Sequence, residues 1–279
     1  MTKVVVATGY GGPEVLALVE VPTPEPGPGE VRIAMRGAGV NPFDFKLYSG
    51  MFGSDPSSLP MRLGFEGAGV IDAVGPDVDG FAVGDEVMAN SISGAYAEQV
   101  VAPVSSLVQK PAALDWPEAA GLLLTGSTAV HALTAADVKA GETVLLHGAG
   151  GVGLMALQLA VARGVRPVIT AIPERHAELR DLGGIPVAFG DGLLERVQEV
   201  APDGVDAALD LIGSDEALEV SLALVPDKGR IVTIANFEGA MQSGIKAIGG
   251  GPGADPGTNI RAAAKFELAE LAGAGRLKV

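Results

Sequence analysis

Val144-Leu145-Leu146-His147-Gly148-Ala149-Gly150-Gly151-Val152-Gly153 runs directly into Leu154-Met155-Ala156-Leu157-Gln158-Leu159-Ala160. An apolar strand, a glycine turn and an apolar helix follow one another. Gly148, Gly150 and Gly153 have the G-x-G-x-x-G spacing of a dinucleotide-binding turn. The first glycine permits the tight turn, the second lets the backbone approach a pyrophosphate, and the third lets helix pack on strand. Gly151 and Val152 complete the turn, whose unpaired N–H groups sit at the positive end of the helix dipole. The spacing alone is weak in a chain with 40 glycines. Its place between a strand and a helix makes it specific.

From about residue 118 the chain alternates strands (143–146, 167–170, 186–188, 207–211, 230–234) with helices (154–163, 175–182, 193–200, 216–224). A glycine-rich loop, 249–257, precedes a last helix at 260–271. This alternation predicts a doubly wound parallel sheet, an α/β fold whose ligands lie beyond the carboxyl ends of the strands. Those ends are His147, Thr170-Ala171, Leu211-Ile212-Gly213 and Ile234-Ala235-Asn236. Ile212, Gly213 and Ala235, with Ile234 beside them, offer small or apolar surfaces for a flat nicotinamide ring; ordinary strand-end packing is the competing explanation. Before residue 117 short strand candidates are separated by Gly and Pro turns. Val31, Ile33 and Met35 alternate with Arg32, Ala34 and Arg36, the period of a half-buried strand. Many short strands of this kind predict a compact β-rich barrel. The expected domains are therefore 1–117 and 118–279.

The formal charge of −15 argues against nucleic acid or an anionic membrane as a partner. With no cysteine there is no disulfide, thiol nucleophile or thiolate metal site, which fits a cytoplasmic protein. Met1-Thr2-Lys3 leads straight into Val4-Val5-Val6, without a cleavable signal. Two uncharged runs, 119–136 and 143–162, approach the roughly 20 residues that span a bilayer. His131 interrupts the first, and His147, Gln158 and several glycines interrupt the second. Both read as buried pieces of a globular fold, and no membrane span is expected.

Several further segments occur in a specific order. They are Gly39-Val40-Asn41-Pro42-Phe43-Asp44, Leu63-Gly64-Phe65-Glu66-Gly67-Ala68-Gly69-Val70, Gly84-Asp85-Glu86-Val87, Tyr96-Ala97-Glu98 and Thr125-Gly126-Ser127-Thr128-Ala129, followed by the glycine turn. This ordered set resembles the medium-chain dehydrogenase/reductase superfamily, specifically its zinc-free quinone oxidoreductase branch. The resemblance implies a GroES-like catalytic domain, a Rossmann domain, hydride transfer from NAD(P)H to a small hydrophobic electrophile, and a homodimer. It also implies that Thr128 contributes to the cofactor site. Zinc-dependent relatives carry Cys near the position of Asn41 and His at that of Phe65. Both are replaced here, and His131, His147 and His176 have no ligand spacing, so no metal is expected.

Without a Lewis acid, a hydrogen-bond donor must stabilise charge on the acceptor oxygen, and conjugated carbonyls or quinones are the easier targets. By resemblance Asn41 is the leading candidate, with Lys46 and Tyr48 nearby as possible donors of a hydrogen bond or proton. Asn41 before Pro42 equally fits a turn former, and Lys46 a solvated charge. Phe43, Phe65, Tyr48 and Phe237 are candidate apolar lining, or core. As to the cofactor, NAD-specific turns place an acid about 20 residues on, at the end of the second strand. Here that strand ends Val168-Ile169-Thr170-Ala171-Ile172. Thr170 and Ala171 leave room for a 2′-phosphate and Arg175 is placed to pair with it, so NADPH is expected. Glu174 points the other way, as does Gly190, where relatives often have a phosphate-binding tyrosine. The chain stops at Gly275-Arg276-Leu277-Lys278-Val279, where the family normally continues with a segment returning to the catalytic domain; that segment is expected to be absent. Two alternatives remain open: a non-enzymatic dinucleotide-binding sensor or structural protein, and a Rossmann-type methyltransferase.

Overall fold

The computed structural model describes residues 1–279 and divides into two compact units. The first comprises Met1–Leu124 with Lys265–Val279, the second Thr125–Ala264.

The first unit is built on antiparallel strands. These are β1 (Thr2–Ala7), β2 (Leu16–Val21), β3 (Glu30–Ala38), β4 (Met61–Arg62), β5 (Glu66–Val74), β6 (Glu86–Asn90), β7 (Gln99–Pro103) and β8 (Leu107–Gln109). They form a five-stranded sheet in the order β7-β3-β5-β6-β8 and a three-stranded sheet in the order β2-β1-β4. The alternation in β3 does what its period dictates. Val31 and Ile33 point into an aliphatic core with Ile71, Val87 and Val100, while Arg32 turns outward and its Nε reaches Asp72 at 2.7 Å. A short helix, α1 (Pro42–Tyr48), follows β3. Pro42 occupies its first position, where the missing N–H is no loss.

Helix α2 (Trp116–Ala135) leads into the second unit, which holds β9 (Thr143–His147), α3 (Gly151–Ala162), β10 (Arg166–Thr170), α4 (His176–Asp181), β11 (Ile185–Val187), α5 (Leu193–Val200), β12 (Ala207–Asp210), α6 (Asp215–Leu224), β13 (Ile231–Thr233), α7 (Phe237–Ser243) and β14 (Lys246–Ala247). All its strand pairs are parallel, in the order β11-β10-β9-β12-β13-β14. This is the doubly wound order that reverses between its first and fourth strands, here β9 and β12. The central strands are apolar without alternation because both faces are covered. Val144, Leu145 and Leu146 are all fully buried.

Two elements of the second unit were not anticipated. Helix α7 starts where Asn236 accepts from the Gly239 N–H at 2.8 Å, and β14 is two residues long, too short to show a period. The units also divide later than residue 117. The last helix, α8 (Thr258–Gly273), extends the expected 260–271 at both ends, and Lys265–Val279 belongs with the first unit. The reason is an apolar face: Leu268, Leu271, Ala272 and Leu277 are buried, and the Lys265 ammonium donates to the Ser105 carbonyl. No helix is long and apolar enough to cross a membrane.

Candidate functional site

In the second unit the glycine turn closes at the point where the strand order reverses. Gly148 follows β9 with φ +102°, a conformation that L side chains rarely adopt. A Cβ there would stand 2.3 Å from Cγ2 of Ile212, which follows β12, so the two strand ends meet at this position. At Gly153 a Cβ would lie 2.0 Å from the Gly148 carbonyl oxygen, so α3 seats on the turn through bare backbone. Gly150 is the extended N-cap of α3, exposed, with open space where a side chain would be. This cradle fits a pyrophosphate: a bare backbone approach, first-turn amides and the positive end of a 12-residue helix.

The neighbouring strand ends are braced by side chains. Thr170 is buried, and its hydroxyl accepts from the Gly148 N–H at 2.9 Å, tying the end of β10 to the turn. Ala171 follows it, so no acid stands at the end of β10. Arg175 approaches the turn from the segment before α4. Its Nη1 donates to the Ala149 carbonyl, while Nε and Nη2 reach Glu178 Oε2 at 3.1 and 3.0 Å. The guanidinium therefore lies beside the turn, partly exposed and shared with one acid.

Asp210 was not singled out from sequence. It is fully buried at the end of β12, and its Oδ1 accepts from the Gly213 and Ile212 N–H groups at 2.7 and 3.2 Å. Its Oδ2 accepts from the Thr233 hydroxyl at 2.7 Å, whose oxygen in turn accepts from the Ala235 and Asn236 amides. One carboxylate and one hydroxyl thus shape the turns carrying Ile212, Gly213 and Ala235. Ile212 is half exposed beside the glycine turn, Ile234 and Ala235 are partly buried, and Thr128 is buried. His147 is structural. Ser221 donates to the Ala217 carbonyl at 2.6 Å, so the Ser221 oxygen accepts from His147 Nε2 at 3.1 Å. Burial pushes the His147 pKa down to about 4.

In the first unit Asn41 is the buried N-cap of α1. Its backbone N–H donates to Asp44 Oδ2 at 2.8 Å and its Nδ2 to Glu66 Oε1 at 2.9 Å. Asp44 Oδ1 also accepts from the Gly64 N–H at 3.1 Å. Glu66 is almost completely buried, and its Oε2 accepts from the Leu124 N–H at 2.7 Å. Burial pushes its pKa up to about 7, against the opposing pull of the Leu124 and Asn41 donors. The Tyr96 hydroxyl is buried without a hydrogen-bond partner, and desolvation together with the Asp44 carboxylate raises its pKa. Tyr48 packs with Ala7 and Leu63, against Tyr96, and edge-on to Phe45 at 5.7 Å. Lys46 is in the last turn of α1, where its charge complements the helix dipole. Phe43 stacks edge-on against Phe65 at 5.0 Å and lies 5.6 Å from Phe52. Of the proposed donors, only Asn41 sits in a built polar network. Glu66 and Asp44, its partners, were legible only as acids within two of the ordered sequence segments.

Known proteins resemble both units. Residues 27–112 match the alcohol dehydrogenase GroES-like domain family and residues 151–249 the zinc-binding dehydrogenase family. A quinone oxidoreductase of Pseudomonas aeruginosa is 37% identical over 247 residues, covering 86% of this chain and 75% of the relative. The crystal structure of a quinone oxidoreductase of Pseudomonas syringae pv. tomato superposes with a TM-score of 0.86 at 31% identity, covering 100% of this chain and 90% of the other. Escherichia coli quinone oxidoreductase, solved in complex with NADPH, gives the same TM-score at 28% identity and the same coverage.

Proposed function

The chain belongs to the medium-chain dehydrogenase/reductase superfamily, in its quinone oxidoreductase branch, and from that premise we propose that it is an NADPH-dependent reductase of quinones or α,β-unsaturated carbonyl compounds. One juxtaposition carries the reading. The glycine turn lies at the switch point of the sheet, with Arg175 beside it and no acid at the end of β10. A methyltransferase would want that acid for its ribose, so the geometry disfavours it.

Gly148, Gly150, Gly151, Val152 and Gly153 would hold the pyrophosphate, and Arg175 with the small Ala171 would take the 2′-phosphate. Ile212, Gly213, Ile234 and Ala235 would flank the nicotinamide, with Thr128 contributing from α2, while Thr170 acts by fixing the turn. Bound NADPH supplies the hydride. The chain itself must stabilise the negative charge that grows on the acceptor oxygen. Asn41 fits that task, because one Nδ2–H is fixed by Glu66 and the amide has a second to donate. Zinc is not required in this scheme, since by the resemblance Asn41 and Phe65 replace the Cys and His ligands of zinc-dependent relatives. Tyr48 and Lys46 remain secondary candidates for the proton. Pairing of two copies through the short β14 edge is the oligomeric state we favour, and the cysteine-free composition suits a cytoplasmic setting.

Fluorescence titration with NADPH and NADH, followed by a panel of quinones and enones, tests the whole reading. Tight NADPH binding with turnover is expected; binding without turnover on any electrophile would favour a sensor instead. Asn41→Ala is expected to lower kcat by roughly 100-fold, the loss of one oxyanion donor, with the NADPH Kd changed little. Unchanged turnover would remove Asn41 from the chemistry. Arg175→Ala is expected to weaken NADPH by about tenfold or more and NADH little, through loss of a charge-assisted contact. Retained preference for NADPH would count against that role.

A further inference from the structure

A half-buried guanidinium in the second unit has no part in the scheme above. Arg261, in the first turn of α8, donates from Nη1 to Thr128 Oγ1 at 3.0 Å and from Nε to His131 Nδ1 at 3.3 Å. His131 is fully buried. Because its Nδ1 accepts, its Nε2 carries the proton and donates to Asp255 Oδ2 at 3.3 Å, which makes the imidazole neutral. Asp255 also accepts from the Gly257 N–H at 2.9 Å. It attracts Arg261 through space but forms no ion pair with it. The guanidinium thus has about two of its five N–H groups on neutral partners and the rest uncommitted. In a chain of net charge −15, a cation desolvated without a carboxylate is conspicuous.

Its position is as informative as its charge. The Asp255 N–H donates to the Ala247 carbonyl at 2.9 Å and the Gly249 N–H to the Asp255 carbonyl at 2.8 Å. The network therefore lies beyond the carboxyl end of β14, on the edge of the sheet where ligands bind. The start of α8 adds its own positive potential there. Thr125, nearly one helical turn before Thr128, lies against the glycine turn, with its Cγ2 3.1 Å from where a Gly151 Cβ would stand. The dinucleotide turn and Arg261 share one edge of one sheet.

We propose that Arg261 is an anion anchor: its uncommitted N–H groups take a carboxylate or phosphate of a molecule bound at this edge, while the His131–Asp255 pair holds the guanidinium in place. The anion belongs either to the dinucleotide or to an acidic acceptor, and only this choice of source rests on the reductase reading.

Phenylglyoxal labelling of Arg261 in the wild-type full chain, read by peptide mass spectrometry, tests the anchor directly. Inorganic phosphate, benzoate, NADPH and a carboxylate-bearing benzoquinone serve as protectants. Slowing of Arg261 labelling by about threefold or more with at least one of them is expected, since a charge-assisted contact shields the group; no protection by any overturns the proposal. Arg261→Gln then identifies the source, with Arg261→Lys as the charge-retaining control. An NADPH Kd raised about tenfold or more, partly restored by Lys, assigns the anion to the cofactor. An unchanged NADPH Kd, with KM raised about tenfold for the carboxylated quinone but not for an uncharged one, assigns it to the acceptor. Unchanged values throughout, in a variant melting like wild type, sink the proposal. A variant that fails to fold leaves the wild-type labelling to decide. Failure of the wild type to bind either dinucleotide would defeat the reductase reading, while protection by phosphate or benzoate would still establish the anchor.

Discussion

Gly150→Val abolishes useful NADPH binding while leaving the fold nearly untouched; Gly153→Ala damages both. At Gly150 the backbone is extended, with φ −74° and ψ −170°, and a Cβ meets nothing within 4 Å. Valine adopts that conformation readily, so the stability loss is the poorer N-cap alone, about 1 kcal/mol or less. The same open space is where a pyrophosphate would approach the backbone, and two methyl groups there would hold it off. We expect the NADPH Kd to rise roughly 100-fold, through lost amide contacts to the anion. At Gly153 the added Cβ would be 2.0 Å from a backbone oxygen, which no rotamer change relieves. The start of α3 must lift off the turn, at a cost of about 3 kcal/mol or more. Thermal melting and NADPH fluorescence titration of the two variants separate these effects. Wild-type affinity in Gly150→Val would mean that the phosphates do not approach this turn.

The glycine turn was legible because its demands are local: a strand, a sharp reversal and a close approach each leave a mark at fixed spacing. The sheet was legible for a similar reason, since fully covered strands such as Val144-Leu145-Leu146 are continuous apolar runs. What escaped depends on distant residues. Asp210 and Thr233 are 23 positions apart, yet they share one hydrogen bond and shape two strand-end turns. Glu66 was quoted within a motif, but nothing in its neighbours reveals that Asn41 and Leu124 donate to its two oxygens. Arg261 reads as an ordinary helix charge until Thr128 and His131 are brought to it. The return of Lys265–Val279 to the first unit likewise depends on which surface its leucines meet, which periodicity does not specify.

Glu66 should make the stability of the protein fall as pH rises, the reverse of most carboxylates. Its folded pKa of about 7 lies above the ordinary 4.5, so the folded form binds the extra proton between those values. The contribution is complete below pH 4.5 and is lost as pH rises through 7; it amounts to about 3 kcal/mol. Gln keeps the shape without the titration, although one of its two donor partners must then face an amide NH₂. The difference in stability between wild type and Glu66→Gln should therefore favour wild type most at low pH and shrink by about 3 kcal/mol by pH 8, several degrees in Tm. His147 supplies the opposite sign. Its folded pKa of about 4 lies below the ordinary 6.5, so its contribution is present above pH 6.5 and is lost as pH falls through 4. Between pH 4.5 and 6.5 the two slopes oppose, which hides both in the wild-type curve. In Glu66→Gln the opposing slope is removed, leaving that of His147 and of the likewise depressed His131, and melting on the acid side should steepen. The same proton bears on chemistry, because Glu66 holds the Asn41 amide at 2.9 Å. A kcat inflection near pH 7 that disappears in Glu66→Gln makes Glu66 the positioning residue for Asn41. A wild-type inflection preserved in the variant assigns it elsewhere, and a stability difference flat with pH shows that Glu66 stays ionised in the fold.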